Sequence, residues 1–386
     1  PPRRRGHDEY RITFHASQTI GKAPHETPAK TSIRRCKGIA RLQKRLANST
    51  PTLADVARAA GVSAMTVSNV VNGREDRVTA RTRERVETAI REIGYRPHAN
   101  ARALRASREW TIGLLCISDR ADFLALQWVA RMIAGLSNSL NTAGYGLLLH
   151  NVHPKHLDDS LFLRWARTDG IVTLLMGPQT TRKLILGRLA ALRQPMVALQ
   201  EPNTSPSRRD IAILRQDDFG AGVAIGECLL AEGVRRILFV QPGFTSPGIN
   251  ERIRGVRLSL SRYPSASMEV VRCEGDHFEA VNSIVRGTIR TGKMPDAIVG
   301  ANDSTGLAIL ASIEAMGFRV PGDVRVAGFN AFENWFYASR KMTTIDFPAY
   351  KLGERAGTLI SERLANGRFS TKLEVLPARL IKGDTS

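Results

Sequence analysis

Between Gly61 and Gly73 the sequence places hydroxyls and amides at Ser63, Thr66, Ser68, Asn69 and Asn72, interleaved with Val67, Val70 and Val71. At helical spacing the valines form a buried face, leaving Ala64, Met65 and the polar residues on the exposed one. Hydroxyls and amides on such a face suit phosphate oxygens and base edges, and a helix N-terminus itself attracts phosphate. A polar face on a small helical bundle needs no ligand, so the pattern alone leaves both readings open. Other candidates are weaker. His150, His153 and His156 lie close together but match neither a zinc-site spacing nor one helix face, and read as solvated histidines of a loop after a strand. Cys36, Cys116, Cys228 and Cys273 are far apart with no CxxC pair, which argues against a zinc knuckle or a disulfide framework. There is no G-x-S-x-G elbow, Walker loop or H-E-x-x-H helix, and Gly220, Gly222 and Gly226 do not follow a strand in dinucleotide-binding spacing. The expectation is a chain that is not an enzyme and takes no cofactor or metal.

The polar face needs helices to carry it. Thr52 is placed as the N-cap of a first helix burying Leu53, Val56, Ala57 and Ala60, and Gly61 stops it. Ser63 caps a second helix that Asn72-Gly73 ends, and a third, from about Ala80 to Ile93, closes at Gly94 before Pro97. Helix, glycine turn, helix and supporting helix is the helix-turn-helix pattern, whose second helix enters the DNA major groove. Charge agrees with a polyanionic partner. The net charge is +20, and residues 1–110 hold 23 Lys/Arg against 10 Asp/Glu, whereas residues 111–386 hold 33 against 26. Residues 1–51 alone carry +9 with little apolar periodicity, so they read as a mostly disordered basic extension or as a start placed too far upstream.

The string TLADVARAAGVSAMTVSNVVNGREDRVTARTRERVETAIREIGYRPHANARALR closely resembles the DNA-binding headpiece of the lactose/galactose-repressor (LacI/GalR-type) family of bacterial transcription regulators, with GVS-x-x-TVS-x-VVN as its specific core. The resemblance places Ala64, Met65 and Asn69 at base-reading positions and Ser63, Thr66, Ser68 and Asn72 against phosphates. Asn69 stands where the family most often has arginine, which shifts the preferred base from guanine toward adenine. Residues 97–105 resemble the family's hinge helix, in which Ala101 and Leu104 meet DNA, the leucine as a minor-groove wedge.

From Trp110 onward apolar runs at 112–117, 145–149, 170–175, 195–199, 236–240, 297–301 and 324–328 alternate with helical patterns near 125–143, 179–193, 217–232, 250–262, 277–291, 304–317 and 348–366. Such alternation implies two parallel sheets flanked by helices, hence two lobes with a cleft at the strands' carboxyl ends. The family resemblance continues through Asp169-Gly170-Ile171-Val172, Arg252-x-x-Gly255, Ala301-Asn302-Asp303, Val320-Pro321-x-Asp323-Val324 and Met342-Thr343-Thr344-Ile345. It implies a body similar to periplasmic sugar-binding proteins, closing on a small effector. Carried over by position, Arg252, Asn302 and Asn330 belong to the pocket. Trp128 is either a flat wall for a sugar face or core filling, and Asp217 matches a position near the pocket with Asp218 beside it. Asn330 replaces the family's usual aspartate, so Arg252 is expected to carry surplus positive charge and to favour a sugar acid over a plain sugar. The connection from Ile117 to Trp128 is several residues longer than the family pattern.

The resulting expectation is an N-terminal all-α helix-turn-helix headpiece with a hinge helix, followed by an α/β two-lobed effector domain. The boundaries are 1–51 for the extension, 52–96 for the DNA-binding domain, 97–109 for hinge and linker, and 110–386 for effector binding and dimerisation. The function implied is a cytoplasmic transcription regulator, a homodimeric repressor whose partners are double-stranded operator DNA and a sugar or sugar acid. A DNA-binding regulator with a vestigial pocket and a solute-binding receptor are the competing readings. The lack of a signal-peptide hydrophobic region and of any membrane-length apolar run opposes the receptor. No heptad-bearing tail is present, from which a family-type tetramerisation helix is expected to be absent, while dimer against tetramer stays open.

Overall fold

The computed structural model describes residues 51–71, 73–74, 77–96, 108–165, 167–202, 210–244, 246–275, 278–292, 294–332, 335 and 340–386. Asn72, Ala101, Leu104, the hinge segment 97–105 and the basic extension before residue 51 lie outside the described residues. The chain divides into two units, one ending at Ala101 and one beginning at Arg102.

In the first unit, α1 (Leu53–Ala60), α2 (Ala64–Val71) and α3 (Ala80–Ile93) pack around Val56, Ala57, Val67, Val86 and Ala89. The Thr52 side chain accepts the Asp55 N–H while the Asp55 carboxylate accepts the Thr52 N–H, a reciprocal cap that satisfies two otherwise orphaned donors. Arg85 of α3 donates to the Ala60 carbonyl at 2.7 Å, closing the other end of α1.

The second unit holds two α/β lobes. In the first lobe, β1 (Thr111–Ile117), β2 (Gly146–Val152), β3 (Gly170–Leu175), β4 (Met196–Leu199), β5 (Ile211–Gln216) and β11 (Leu373–Leu376) form a parallel sheet in the order β11-β5-β4-β3-β1-β2. The helices α4 (Gln127–Thr142), α5 (Leu161–Trp165), α6 (Gln179–Ala191) and α11 (Ala349–Asn366) belong to this lobe. Fully buried Ile112, Leu114, Val172 and Leu174 fill one side of the sheet, and Leu115, Ile117, Ile171 and Leu175 the other. In the second lobe, β6 (Arg236–Gln241), β7 (Ser267–Arg272), β8 (Ala297–Gly300) and β9 (Arg325–Ala327) form a parallel sheet in the order β7-β6-β8-β9. Its helices are α7 (Asp218–Ala231), α8 (Pro247–Leu260), α9 (Phe278–Arg290) and α10 (Asp303–Ala315). The short strands β10 (Thr344–Asp346) and β12 (Arg379–Ile381) pair antiparallel beside it. The chain passes between the lobes after β5, after β10 and after β11.

Every expected helix of the body is present within a few residues. The strands the apolar runs did not announce are β5, β7, β10, β11 and β12. Four of them are short or lie at a sheet edge, and half-exposed strands such as β7 (Ser-Met-Glu-Val-Val-Arg) carry no continuous apolar run. His150, expected in a loop, lies within β2 and packs edge-on against Phe162, because the strand extends to Val152.

Candidate functional site

Ser63 caps α2 through its hydroxyl, which accepts the Thr66 N–H at 3.1 Å. Ala64 and Met65 stand outside the core, Met65 with 68% of its surface exposed, and Thr66 is half-buried. The reading of Ser68 and Asn69 as exposed needs correction, since each keeps only 8% of its surface. The chain turns back after α2, where the Gly73 N–H donates to the Val70 carbonyl and the Arg74 N–H to the Asn69 carbonyl. That return lies just past the end of α2, beyond what the periodicity of the helix describes. Val70 and Val71 pack against the headpiece core only in part.

In the body, Arg252 of α8 is brought to the cleft by a close helix crossing. A Cβ at Gly255 would come closer than 3.0 Å to the Phe219 carbonyl of α7, and one at Gly222 would do the same to the Arg252 carbonyl. Only glycine permits that approach, which explains the Arg252-x-x-Gly255 spacing. The guanidinium, 6% exposed, lies over the rings of Phe329 and Phe347 at 4.9 and 4.5 Å. Its Nε donates to Asp218 Oδ1 at 2.8 Å, Nη1 to the Ala301 carbonyl at 2.6 Å and Nη2 to Asn330 Oδ1 at 3.5 Å.

The carboxylate opposite Arg252 is therefore Asp218, which overturns the expectation of surplus positive charge created by Asn330. Asp217, expected near the pocket, caps α7 by accepting the Gly220 N–H at 2.8 Å and lines a neighbouring chamber. The two adjacent aspartates divide these tasks because the strand-to-helix turn sends successive side chains in different directions. Asp218 also accepts from Gln200 and Gln216, each at 3.0 Å, and Gln216 Oε1 accepts the Trp128 indole N–H at 3.0 Å. A hydrogen-bonded chain thus runs from Trp128 and Gln216 in the first lobe to Asp218, Arg252 and Asn330 in the second.

These groups border a chamber of about 130 Å³ that Phe123, Phe244 and Phe332 help to wall. Asn302 lines it too, its Oδ1 capping α10 through the Thr305 N–H at 2.8 Å. Trp128 both lines the chamber and packs on the first-lobe core. The long connection after β1 contains a 3-10 turn, Phe123–Ala125, and places Arg120 over the Phe244 ring at 5.3 Å while Asp122 grips the same guanidinium.

Sequence reasoning missed Gln200, Gln216, Asp303 and the aromatic wall. Asn330 and Ala331 adopt φ of 120° and 48°, left-handed values costly for side chains with a Cβ. Asp303, 3% exposed, holds that turn by accepting the Phe332 N–H at 3.3 Å and the Thr344 hydroxyl at 2.6 Å. Burial pushes the Asp303 carboxyl up to about 6 despite those hydrogen bonds and the Arg252 charge. The signal was in the sequence, since Asp303 follows Asn302 in a quoted motif, but its partners are far away in the chain. No group of three His, Cys, Asp or Glu able to hold a metal occurs among the described residues. Nor is any described helix long and apolar enough to cross a membrane.

A three-helix unit with a helix-turn-helix and a two-lobed α/β body with a polar cleft define a DNA-binding regulator of the periplasmic-binding-protein type. Residues 52–98 match the model for bacterial regulatory proteins of the lacI family, and residues 227–386 match a periplasmic binding protein-like domain. The HTH-type transcriptional repressor PurR of Vibrio cholerae is 28% identical over 340 residues, covering 86% of this chain and 97% of the relative. PurR of Erwinia tasmaniensis is 29% identical over 331 residues, covering 84% and 94%. The lac repressor dimer bound to operator and the anti-inducer ONPF superposes with a TM-score of 0.76 at 24% identity, covering 87% of this chain and 99% of that one. The transcriptional regulator CelR in complex with cellobiose gives 0.62 at 26% identity, covering 87% and 100%. The chain belongs to the lactose/galactose-repressor family of bacterial regulatory proteins, and it is a DNA-binding transcription regulator with an effector-binding body.

Proposed function

We propose that the protein is a homodimeric repressor that binds a pseudo-palindromic operator and is controlled by a small hydroxylated ligand, a sugar or sugar acid, held between the lobes. The observation that carries this reading is the Trp128–Gln216–Asp218–Arg252 chain, because it joins the lobes through groups that ligand hydroxyls can replace. A ligand that exchanges those hydrogen bonds for its own changes the relative energy of open and closed lobes, and the equilibrium moves by its differential affinity for the two. The change passes to residues 97–109, where Ala101 and Leu104 match the hinge positions that engage the minor groove. On the DNA side, Met65 and Ala64 offer apolar contact to thymine methyl groups, and Ser63 and Thr66 stand at the phosphate-binding end of α2. The domain boundaries 52–96, 97–109 and 110–386 follow from the same assignment.

The test is selection of binding sites from random duplexes by the full chain, followed by operator-release titrations with sugars, sugar acids, sugar phosphates and purine bases. Recovery of a two-fold symmetric site whose affinity falls steeply with salt supports the DNA half. Release by one ligand class supports the effector half. Recovery of only sequence-independent binding overturns the first, and indifference to every ligand overturns the second.

A further inference from the structure

Beside the Trp128 chamber, with Gln200 and Gln216 bordering both, lies a larger one of about 350 Å³. Nearly every charge around it is matched within the chain. Asp218 holds Arg252 at 2.8 Å, Glu251 holds Arg254 at 2.6 Å, and Glu201 holds Arg182 at 3.0 Å with both side chains buried. Asp217 is engaged by the Gly220 N–H. Arg215, near the end of β5, differs from Arg182 and Arg254, the other arginines that line the chamber. Among the described residues no carboxylate pairs with it, and its Nε is buried with no hydrogen-bond partner. Arg215 as a whole is only half-buried and lines the chamber, so its charge lacks a counter-ion that an anionic ligand would supply.

The start of α6, which lines the same chamber, is also favourable to negative charge. Gly177, Pro178 and Gln179 line the chamber at the start of α6, a thirteen-residue helix whose N-terminus has no side-chain cap. Its first-turn N–H groups carry partial positive charge with no side-chain acceptor. Of the lining carboxylates, Asp218 and Glu251 are each paired with a guanidinium, and Asp217, which caps α7, is the one without a cation.

We propose that this chamber is an anion subsite of the effector cleft. The ligand's carboxylate or phosphate pairs with Arg215 and the α6 N-terminus while its hydroxylated part lies against Trp128. The proposal rests on the effector reading above and names the class within it: a sugar acid or sugar phosphate. It moves the source of acid preference from Arg252, which Asp218 neutralises, to Arg215.

The experiment is calorimetry and thermal unfolding of the full chain with hexoses, the matching hexonates, the matching hexose 6-phosphates and inorganic phosphate alone. It uses the parent, Arg215→Gln, Arg215→Lys and, as a charge-matched control, Arg262→Gln in an exposed ion pair with Glu227. The expected result is that one anionic class binds at least tenfold tighter than its neutral counterpart and that inorganic phosphate competes with it. Arg215→Gln erases the advantage without changing neutral-sugar affinity, Arg215→Lys keeps part of it, and the control changes nothing. Whether hexonate or phosphate gains tells which anion the site takes. Equal binding of neutral and anionic sugars, or an advantage that survives Arg215→Gln, overturns the anion subsite and leaves the effector reading intact. Silence toward every probe in the parent overturns both.

Discussion

Replacing Asp218 with asparagine tests whether the cleft is held by one coupled network. The substitution keeps the shape but removes the charge that faces Arg252 Nε at 2.8 Å, in a pair whose side chains are only 8% and 5% exposed. Asp218 also accepts from Gln200 and Gln216, so an amide NH₂ must face at least one of three donors. Removing one partner of a buried pair costs about 3–5 kcal/mol. An asparagine oxygen still accepts one hydrogen bond, which brings the expectation down to about 2–4 kcal/mol. For a unit of this size that is a drop in Tm of roughly 4–10 °C. Arg252→Met alone leaves the aspartate buried without its cation, whereas the double variant leaves neither charge uncompensated. Urea unfolding of all four proteins should therefore give a coupling energy of at least about 1.5 kcal/mol, with the double variant more stable than the sum predicts. Additivity within about 0.5 kcal/mol would show that Arg252 is neutralised elsewhere and would refute the network.

Asp303, with its carboxyl raised to about 6, gives a pH signature. A raised carboxyl binds its proton more tightly in the folded state, so its stability contribution is present below about pH 4 and is lost as pH rises through about 6. Relative to Asp303→Asn, the parent should lose up to about 3 kcal/mol over that window, and a flat difference in denaturant midpoints across it would contradict the burial argument. Gly255→Ala should destabilise the body by about 1–3 kcal/mol, because the new methyl meets the Phe219 carbonyl and the α7–α8 crossing must open; unchanged thermal unfolding would disprove it. Met65→Ala should leave the headpiece melting temperature within about 1 °C, because the side chain is 68% exposed, yet lower affinity for the selected operator several-fold in a gel-shift titration. Equal affinities would remove Met65 from the reading surface.

The headpiece was legible in the sequence because its information is local. Thr52 with Asp55, Ser63, Gly61 and Gly94 fix where helices start and stop through groups three or four residues apart, and the valine spacing sets the buried face. The same holds for the strand–helix alternation of the body, since buried parallel strands are short continuous apolar runs. What the sequence did not carry is which charges meet. Asp218 reaches Arg252 across 34 residues and Asn330 reaches it across 78, so the carboxylate that meets the arginine comes from a different element than the one the sequence pattern pointed to. Asn69 is likewise buried although its place on the helix face predicted exposure. Composition and period determine the elements because those depend on neighbours in the chain. The electrostatics of the cleft depend on distances between elements, and packing alone sets those distances, down to the glycine contacts that let α7 and α8 approach.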